Sequence, residues 1–328
     1  MIPVDSKIYV GNARTALKIA FLQLNVQAGK HVLVPDTICD VLIHPITQSN
    51  LVPKYYPIND QFIPDWNTLE MLATSYDCHS LVMVHFFGQP QDIEKYRSFC
   101  MKHKLILIED NAHGYGGFVS NKPLGTFGDI GICSPRKMLS IPSGGVLYGN
   151  VSVSKEIINK LHSFPVFRLR IILKMALTPF HSIKRILRAW NDKRKDWCDP
   201  FLYQESIQPD YKIDYMSHRC IELTNWQEIA KRRRVNWIAW ADFAKRNGLE
   251  LVFHSVHPES CPWAMPVYAK SINERNEWLR WGTVSRVALF PWPSLPDEVI
   301  ALEGKALDRW KTLICFPLDT SPEELGVY

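Results

Sequence analysis

The chain has 328 residues, 46% apolar and 22% charged, with a formal net charge of +5. That length can bury a sizeable core and fits one large domain plus a smaller one, while so mild a charge gives no case for nucleic-acid binding. The start, MIPVDSKIYVGN, has no basic segment followed by an apolar core, no apolar run reaches the roughly 20 residues of a membrane span, and the eight cysteines form no CxxC pair. The expectation is a cytoplasmic protein with reduced thiols and with neither a metal site nor a disulfide framework.

From Asn12 to Gln27, residues Ala16, Leu17, Ala20, Phe21 and Leu24 share one face at helical spacing, with Asn12 as N-cap and Gly29 as the stop. HVLVP (His31–Pro35) reads as a short buried strand, followed by a helix to about Ser49 and an extended LVPKYYPI. Trp66 to Tyr76 is predicted helical, Ser80 to Phe87 a continuous apolar strand, and Asp92 to His103 a helix leading into LILIED. The strands continue through GDIGICS and GGVLYGN. This alternation predicts an α/β fold: a mostly parallel central sheet with helices on both faces. Right-handed crossovers gather the carboxyl ends of such strands at one edge, where ligands bind.

The large domain is expected over residues 1–220 and a small C-terminal α+β domain over 221–328, entered by a long helix from Trp226 to Asn247. Within the large domain, residues 165–196 form a basic, apolar-interleaved insertion that Pro165 and Pro179 divide into two helices. It could lie on an anionic membrane surface or guide a nucleotide diphosphate, but solvated helices packed on the domain are the plainer account. KRRR at 231–234 reads as a solvated helix face, and the tryptophans of the C-terminal third as core or dimer packing.

Asp110 ends one expected strand, and Lys137 follows shortly after another. A lysine and an acid at neighbouring strand ends suit pyridoxal phosphate: the amine carries the aldehyde as a Schiff base, and the acid keeps the pyridine nitrogen protonated. Spacing alone favours the plainer alternative, a surface lysine and an ion-paired aspartate. His85, in VHFFGQP, ends a strand on the same edge and is a candidate either for the substrate side or for packing.

Several blocks run nearly end to end: NARTALKIAF, VLVPDTICD, VHFFGQPQDIE, LIEDNAHGYGG, GTFGDIGICSPRKMLSIPSGGVLYGN, KRRRVNW, WPSLPDEV and LICFPLD. In them the chain resembles the DegT/DnrJ/EryC1/StrS family of fold-type-I pyridoxal phosphate aminotransferases, which act on sugar nucleotides. The resemblance implies a homodimer with shared active sites that moves an amino group, from glutamate in most relatives, to a keto sugar for surface polysaccharide or other amino-sugar synthesis. It makes Lys137 the Schiff-base lysine and proton shuttle, Asp110 the partner of the pyridine nitrogen, and His113 a neighbour of the cofactor ring and its phenolic oxygen. Phosphate is expected on the N–H groups of Ala13 and Arg14 at the first helix N-terminus, and on Ser134.

Three departures from the family pattern stand out. Lys137 follows Ser134 by only three residues, where many relatives have five, yet it remains preferred over Lys122. Cys39 takes the place of an aromatic that stacks on the cofactor ring. The asparagine expected near KIDYMSHR, which would reach a partner subunit, is not evident. These departures keep two alternatives open, a pyridoxal phosphate sugar dehydratase and a catalytically silent relative that acts as a binding protein. The lysine favours transamination, because dehydrating relatives replace it.

Overall fold

The computed structural model describes residues 7–149, 153–165, 198–292 and 294–327. The basic insertion expected at 165–196 therefore lies, apart from Pro165, outside the described residues. The N-terminal apolar runs form β1 (Ile8–Val10), β2 (His31–Pro35), β3 (Val52–Tyr56), β4 (Cys78–Val84), β5 (Ile106–Asn111) and a small hairpin of β6 (Phe118–Val119) and β7 (Lys122–Pro123). β8 (Ile130–Cys133) and β9 (Gly145–Gly149) follow. The main sheet has the order β1-β9-β8-β5-β4-β2-β3. Its centre is parallel, from β3 through β8, and β9 and β1 close one side antiparallel. Burial on both faces explains why Val32, Leu33, Val34, Leu81, Val82, Met83, Leu107 and Ile108 read as unbroken apolar runs.

Helices α1 (Ala13–Leu24), α2 (Ile43–Gln48), α3 (Trp66–Ser75) and α4 (Ile93–His103) alternate with these strands. Asn12 caps α1 by accepting the N–H of Thr15 at 2.9 Å. α1 stops at Leu24 rather than running on to Gly29. Asn25 takes the left-handed conformation (φ 48°) that a short polar side chain tolerates, and its N–H bonds to the Leu22 carbonyl. β4 likewise ends earlier than its apolar run, because Phe87 turns left-handed (φ 55°) in a 3-10 turn over Phe86–Gly88. β9 passes so close to the start of α1 that a Cβ on Gly145 would lie 2.2 Å from the Asn12 carbonyl carbon. Only glycine fits there.

The C-terminal residues form a three-stranded antiparallel sheet of β10 (Glu250–Leu251), β11 (Ala264–Tyr268) and β12 (Leu313–Pro317), flanked by the helix Trp226–Arg246. Trp237, Trp240, Phe243, Met265 and Phe316 fill its own core. The main core also runs on into Trp292, Leu295, Trp310 and Leu313, so the two units share apolar packing. Residue 220, the expected domain limit, falls inside the helix Tyr215–Leu223.

Candidate active site

β5 carries two successive carboxylates, and the two-residue period of a strand sends them to opposite faces. Glu109 is fully buried and accepts N–H bonds from Gly125 (2.5 Å), Phe127 (2.6 Å) and Gly128 (2.8 Å), with His85 Nε2 at 2.9 Å. Burial pushes its pKa up, but the His85 hydrogen bond and the backbone donors outweigh it, and the net shift is downward. Glu109 thus pins the GTFGD turn beneath β8. Asp110 faces the other way, with Oδ1 accepting the Ala112 N–H at 2.8 Å. Here burial dominates and raises the pKa against the Ala112 bond and the charge of Lys137.

Asp110 opens onto a pocket at the carboxyl edge of the sheet, with about 610 Å³ of open volume. Ala13, Arg14, Cys39, Asp110, His113, Ser134 and Lys137 all line this pocket. The strand pairing explains part of the convergence: Asp110 lies opposite Ile132 on β8, and Ser134 follows that strand directly. Pro135–Lys137 form one 3-10 turn after Ser134, so the short loop delivers Lys137 without a longer detour.

The Lys137 Nζ stands 4.8 Å from the centroid of the Trp263 ring. Burial lowers its pKa, partly offset by Cys39 and Asp110. His113 is buried, and its imidazole lies against the Trp263 ring (centroids 4.5 Å apart, planes at 30°) with Trp292 edge-on at 5.5 Å. Its Nδ1 accepts the Phe87 N–H at 3.2 Å, which leaves Nε2 as the protonated nitrogen. Burial, followed by the charge of Lys137, drives its pKa well below the ordinary value, so the ring is neutral. Gly88 allows this approach: a Cβ there would lie 2.5 Å from the His113 carbonyl oxygen.

At the other wall, Asn12 takes the Thr15 N–H, leaving those of Ala13 and Arg14 as the first-turn donors of α1. The Arg14 Nη1 is buried without a hydrogen-bond partner, and the carboxylate paired with it, Glu205, is 3.5 Å away. A guanidinium nitrogen without a hydrogen-bond partner, helix N–H donors and a buried serine fit an anion of phosphate size. With Asp110 and Lys137 on the same pocket, the residues fit pyridoxal phosphate. Cys39 offers no aromatic face, its thiol contacting Asp40 Oδ1 (3.5 Å) and Ser294 Oγ (3.7 Å). Burial, with the charge of Asp40, pushes that thiol up to about 12.

His85 does not reach the pocket. It is fully buried, with Nδ1 accepting the Gln91 N–H and Nε2 bonded to Glu109, so its role is packing and not substrate contact. KRRR also departs from the expected solvated face. Arg233 is buried and donates to the Pro262, Trp263 and Met138 carbonyls, and Arg234 donates to that of Ser260 at 2.6 Å. These bonds tie the long helix to Trp263 and to the residue after Lys137. Near KIDYMSHR, Asp214 caps the helix Tyr215–Leu223 and bonds Ser143 within the same chain. Sequence reasoning missed Arg136, Trp263 and Trp292. Arg136 was adjacent to the lysine, and Trp292 opened the WPSLPDEV block. Trp263 carried no sequence signal.

Comparison with known proteins places this architecture. The chain matches GDP-perosamine synthase of Vibrio cholerae at 29% identity over 146 residues, 44% of this chain and 40% of that protein. UDP-N-acetyl-3-dehydro-alpha-D-glucosamine 3-aminotransferase of Acidithiobacillus ferrooxidans matches at 27% over 148 residues, 44% and 40% of the two chains. The chain thus spans about 40% of the length of these curated relatives. Among solved structures, the Helicobacter pylori aminotransferase PseC, involved in pseudoaminic acid biosynthesis, shares the fold-type-I architecture with a TM-score of 0.71 at 16% identity, covering 98% of this chain and 84% of PseC. The sequence profile of one family covers residues 2–170, more than half of the length. The chain belongs to the DegT/DnrJ/EryC1/StrS aminotransferase family.

Proposed function

We propose that the protein is a pyridoxal-phosphate-dependent aminotransferase that moves an amino group, with glutamate as donor, to a keto sugar, nucleotide-linked, for surface polysaccharide or other amino-sugar synthesis. We infer also that it acts as a homodimer with shared sites. The observation that carries this is the meeting of Asp110 and Lys137 on one pocket with Arg14, whose Nη1 has no hydrogen-bond partner, and the first turn of α1. The sugar substrate is supported by the names of the relatives, GDP-perosamine synthase among them.

When bound, pyridoxal phosphate supplies an aldehyde that carries the amino group and a ring that takes up electrons. Arg14, the N–H groups of Ala13 and Arg14, and Ser134 hold its phosphate. Asp110 pairs with the ring nitrogen; a cation there offsets the cost of burying the carboxylate and keeps it ionised. Burial lowers the pKa of Lys137, which favours the neutral amine; this is the group that would hold the cofactor aldehyde and carry a proton. Neutral His113 offers an Nε2–H donor that stays protonated across the working pH range. Its ring and that of Trp292 supply the aromatic wall that Cys39 does not.

Purified protein given pyridoxal phosphate is expected to turn yellow, and borohydride is expected to fix the cofactor on the peptide containing Lys137. Lys137→Ala is expected to lose both the fixed label and amino transfer from glutamate to a panel of nucleotide-linked keto sugars. A wild-type protein that stays colourless, or a label on Lys122, would sink the assignment.

A further inference from the structure

Arg136 shares the 3-10 turn Pro135–Lys137 with the lysine and, like it, lines the pocket. Successive residues of such a turn leave the axis about 120° apart, so the guanidinium and the amine reach the cavity from different directions. Arg136 is exposed, and among the described residues it makes no hydrogen bond and no ion pair. The remaining charges around it are committed. Glu205 is paired with Arg14 Nη1 at 3.5 Å, and its backbone N–H is bonded to Asp40 Oδ2 at 3.1 Å. Asp110 lies on the pocket floor at the end of β5, bonded to Ala112. Three cations (Arg14, Arg136 and Lys137) therefore line this cavity with one carboxylate, Asp110, while Glu205 pairs with Arg14.

We propose that Arg136 recognises an anionic group, a carboxylate or a phosphate, on the substrate that comes against Lys137; this rests on the aminotransferase assignment of the pocket. With the cofactor phosphate on Arg14 and the ring nitrogen on Asp110, Arg136 is the pocket cation whose planar fork has no other work. Its place at the exposed rim, one residue from the reacting amine, suits a ligand that enters and leaves in each half of the reaction. Bidentate bonding from arginine would also orient that ligand, which a lysine's point charge does poorly. Two sources carry such a group: the dicarboxylate of an amino donor such as glutamate, and the diphosphate of a nucleotide-linked acceptor.

The test compares wild type with Arg136→Gln and Arg136→Lys. Cofactor-loaded protein is titrated calorimetrically with glutarate and, separately, with inorganic pyrophosphate, while cofactor affinity is read by absorbance on stripped protein. We expect Arg136→Gln to weaken at least one dianion by about ten-fold, the range of a lost charge-assisted bond at a partly open site. Arg136→Lys should recover part of that loss, and cofactor affinity should stay within about two-fold of wild type. Loss of glutarate alone assigns the arginine to the amino donor, and loss of pyrophosphate alone to the acceptor. Unchanged binding of both, or binding of neither by wild type, overturns the proposal. So does a fall in cofactor affinity matching the fall in dianion binding, because Arg136 would then serve the cofactor phosphate. A wild type that takes up no pyridoxal phosphate fails earlier, at the aminotransferase assignment, and the inference falls with it.

Discussion

Glu109→Gln tests how the sheet holds the site. Glu109 uses Oε1 for Gly125 N–H and His85, and Oε2 for the Phe127 and Gly128 N–H groups. Glutamine is nearly isosteric, but whichever way its amide turns, an NH2 meets two donors that previously met an oxygen. Each bond to a charged acceptor contributes about 1.5–3 kcal/mol, so the gross loss is about 3–6 kcal/mol. Burying a neutral amide costs less than burying a carboxylate, which offsets part of this and leaves about 3 kcal/mol. Urea unfolding followed by circular dichroism reads this directly, against a total of roughly 5–15 kcal/mol for a typical domain. The pH dependence has a definite sign. Glu109 is held below its ordinary pKa in the folded chain, so its contribution is complete above the unfolded value of about 4.3 and disappears as pH falls through the lower folded value. The gap between wild type and variant should therefore shrink as pH falls below about 4.3. A gap under about 1 kcal/mol at pH 7, far below the loss expected from two such bonds, would refute the reasoning.

Three further outcomes follow from single contacts. Arg233→Met leaves the Pro262, Trp263 and Met138 carbonyls without their donor, and should cost about 2–4 kcal/mol in the same unfolding assay. Cys39, with its thiol pushed up to about 12, should alkylate on the order of fifty-fold more slowly at pH 8 than an ordinary thiol, since scarce thiolate outweighs its greater nucleophilicity; mass spectrometry of peptides from timed iodoacetamide labelling measures this. Gly145→Ala drives a methyl to 2.2 Å from the Asn12 carbonyl carbon and should destabilise by more than about 4 kcal/mol, seen as loss of soluble protein.

The central sheet was legible because strands buried on both faces must be apolar at every position, and Val32–Val34 and Leu81–Val84 are. The meeting of Asp110, Ser134 and Lys137 was legible for a related reason: β5 and β8 are parallel neighbours, so residues at their carboxyl ends converge. His85 stood open between substrate contact and packing because its partner, Glu109, sits on the adjacent strand, and no local pattern announces a cross-strand pair. Arg233 was misjudged against a visible signal. Its position on the Ala230–Trp237–Trp240–Ala244 face of the helix already placed it inward, but the run of charge beside it suggested solvent. Trp263 could not have been found. It reaches Lys137 and His113 through tertiary packing of the C-terminal sheet, which spacing along the chain does not encode.

Asp110 shows the stability cost that this site carries for function. Its pKa is raised, chiefly by burial, so the ionised form is less comfortable in the fold than in the unfolded chain. A group raised in this way stabilises fully only below its unfolded value of about 3.9, and that contribution is lost as pH climbs through the folded value. At pH 7 the carboxylate is therefore a net burden unless a cation joins it. Asp110→Asn keeps the oxygen that accepts the Ala112 N–H at 2.8 Å while removing the charge. Protein stripped of cofactor should then melt higher as the variant than as wild type, by about 2 °C for each kcal/mol relieved. Added pyridoxal phosphate should reverse the order, because only the carboxylate gains from a protonated ring nitrogen. Both halves are read in one thermal-melt series with and without cofactor. A variant that melts lower in the stripped form would mean that the carboxylate is already well compensated by Lys137. Equal gains on cofactor addition would mean that Asp110 does not meet the ring nitrogen.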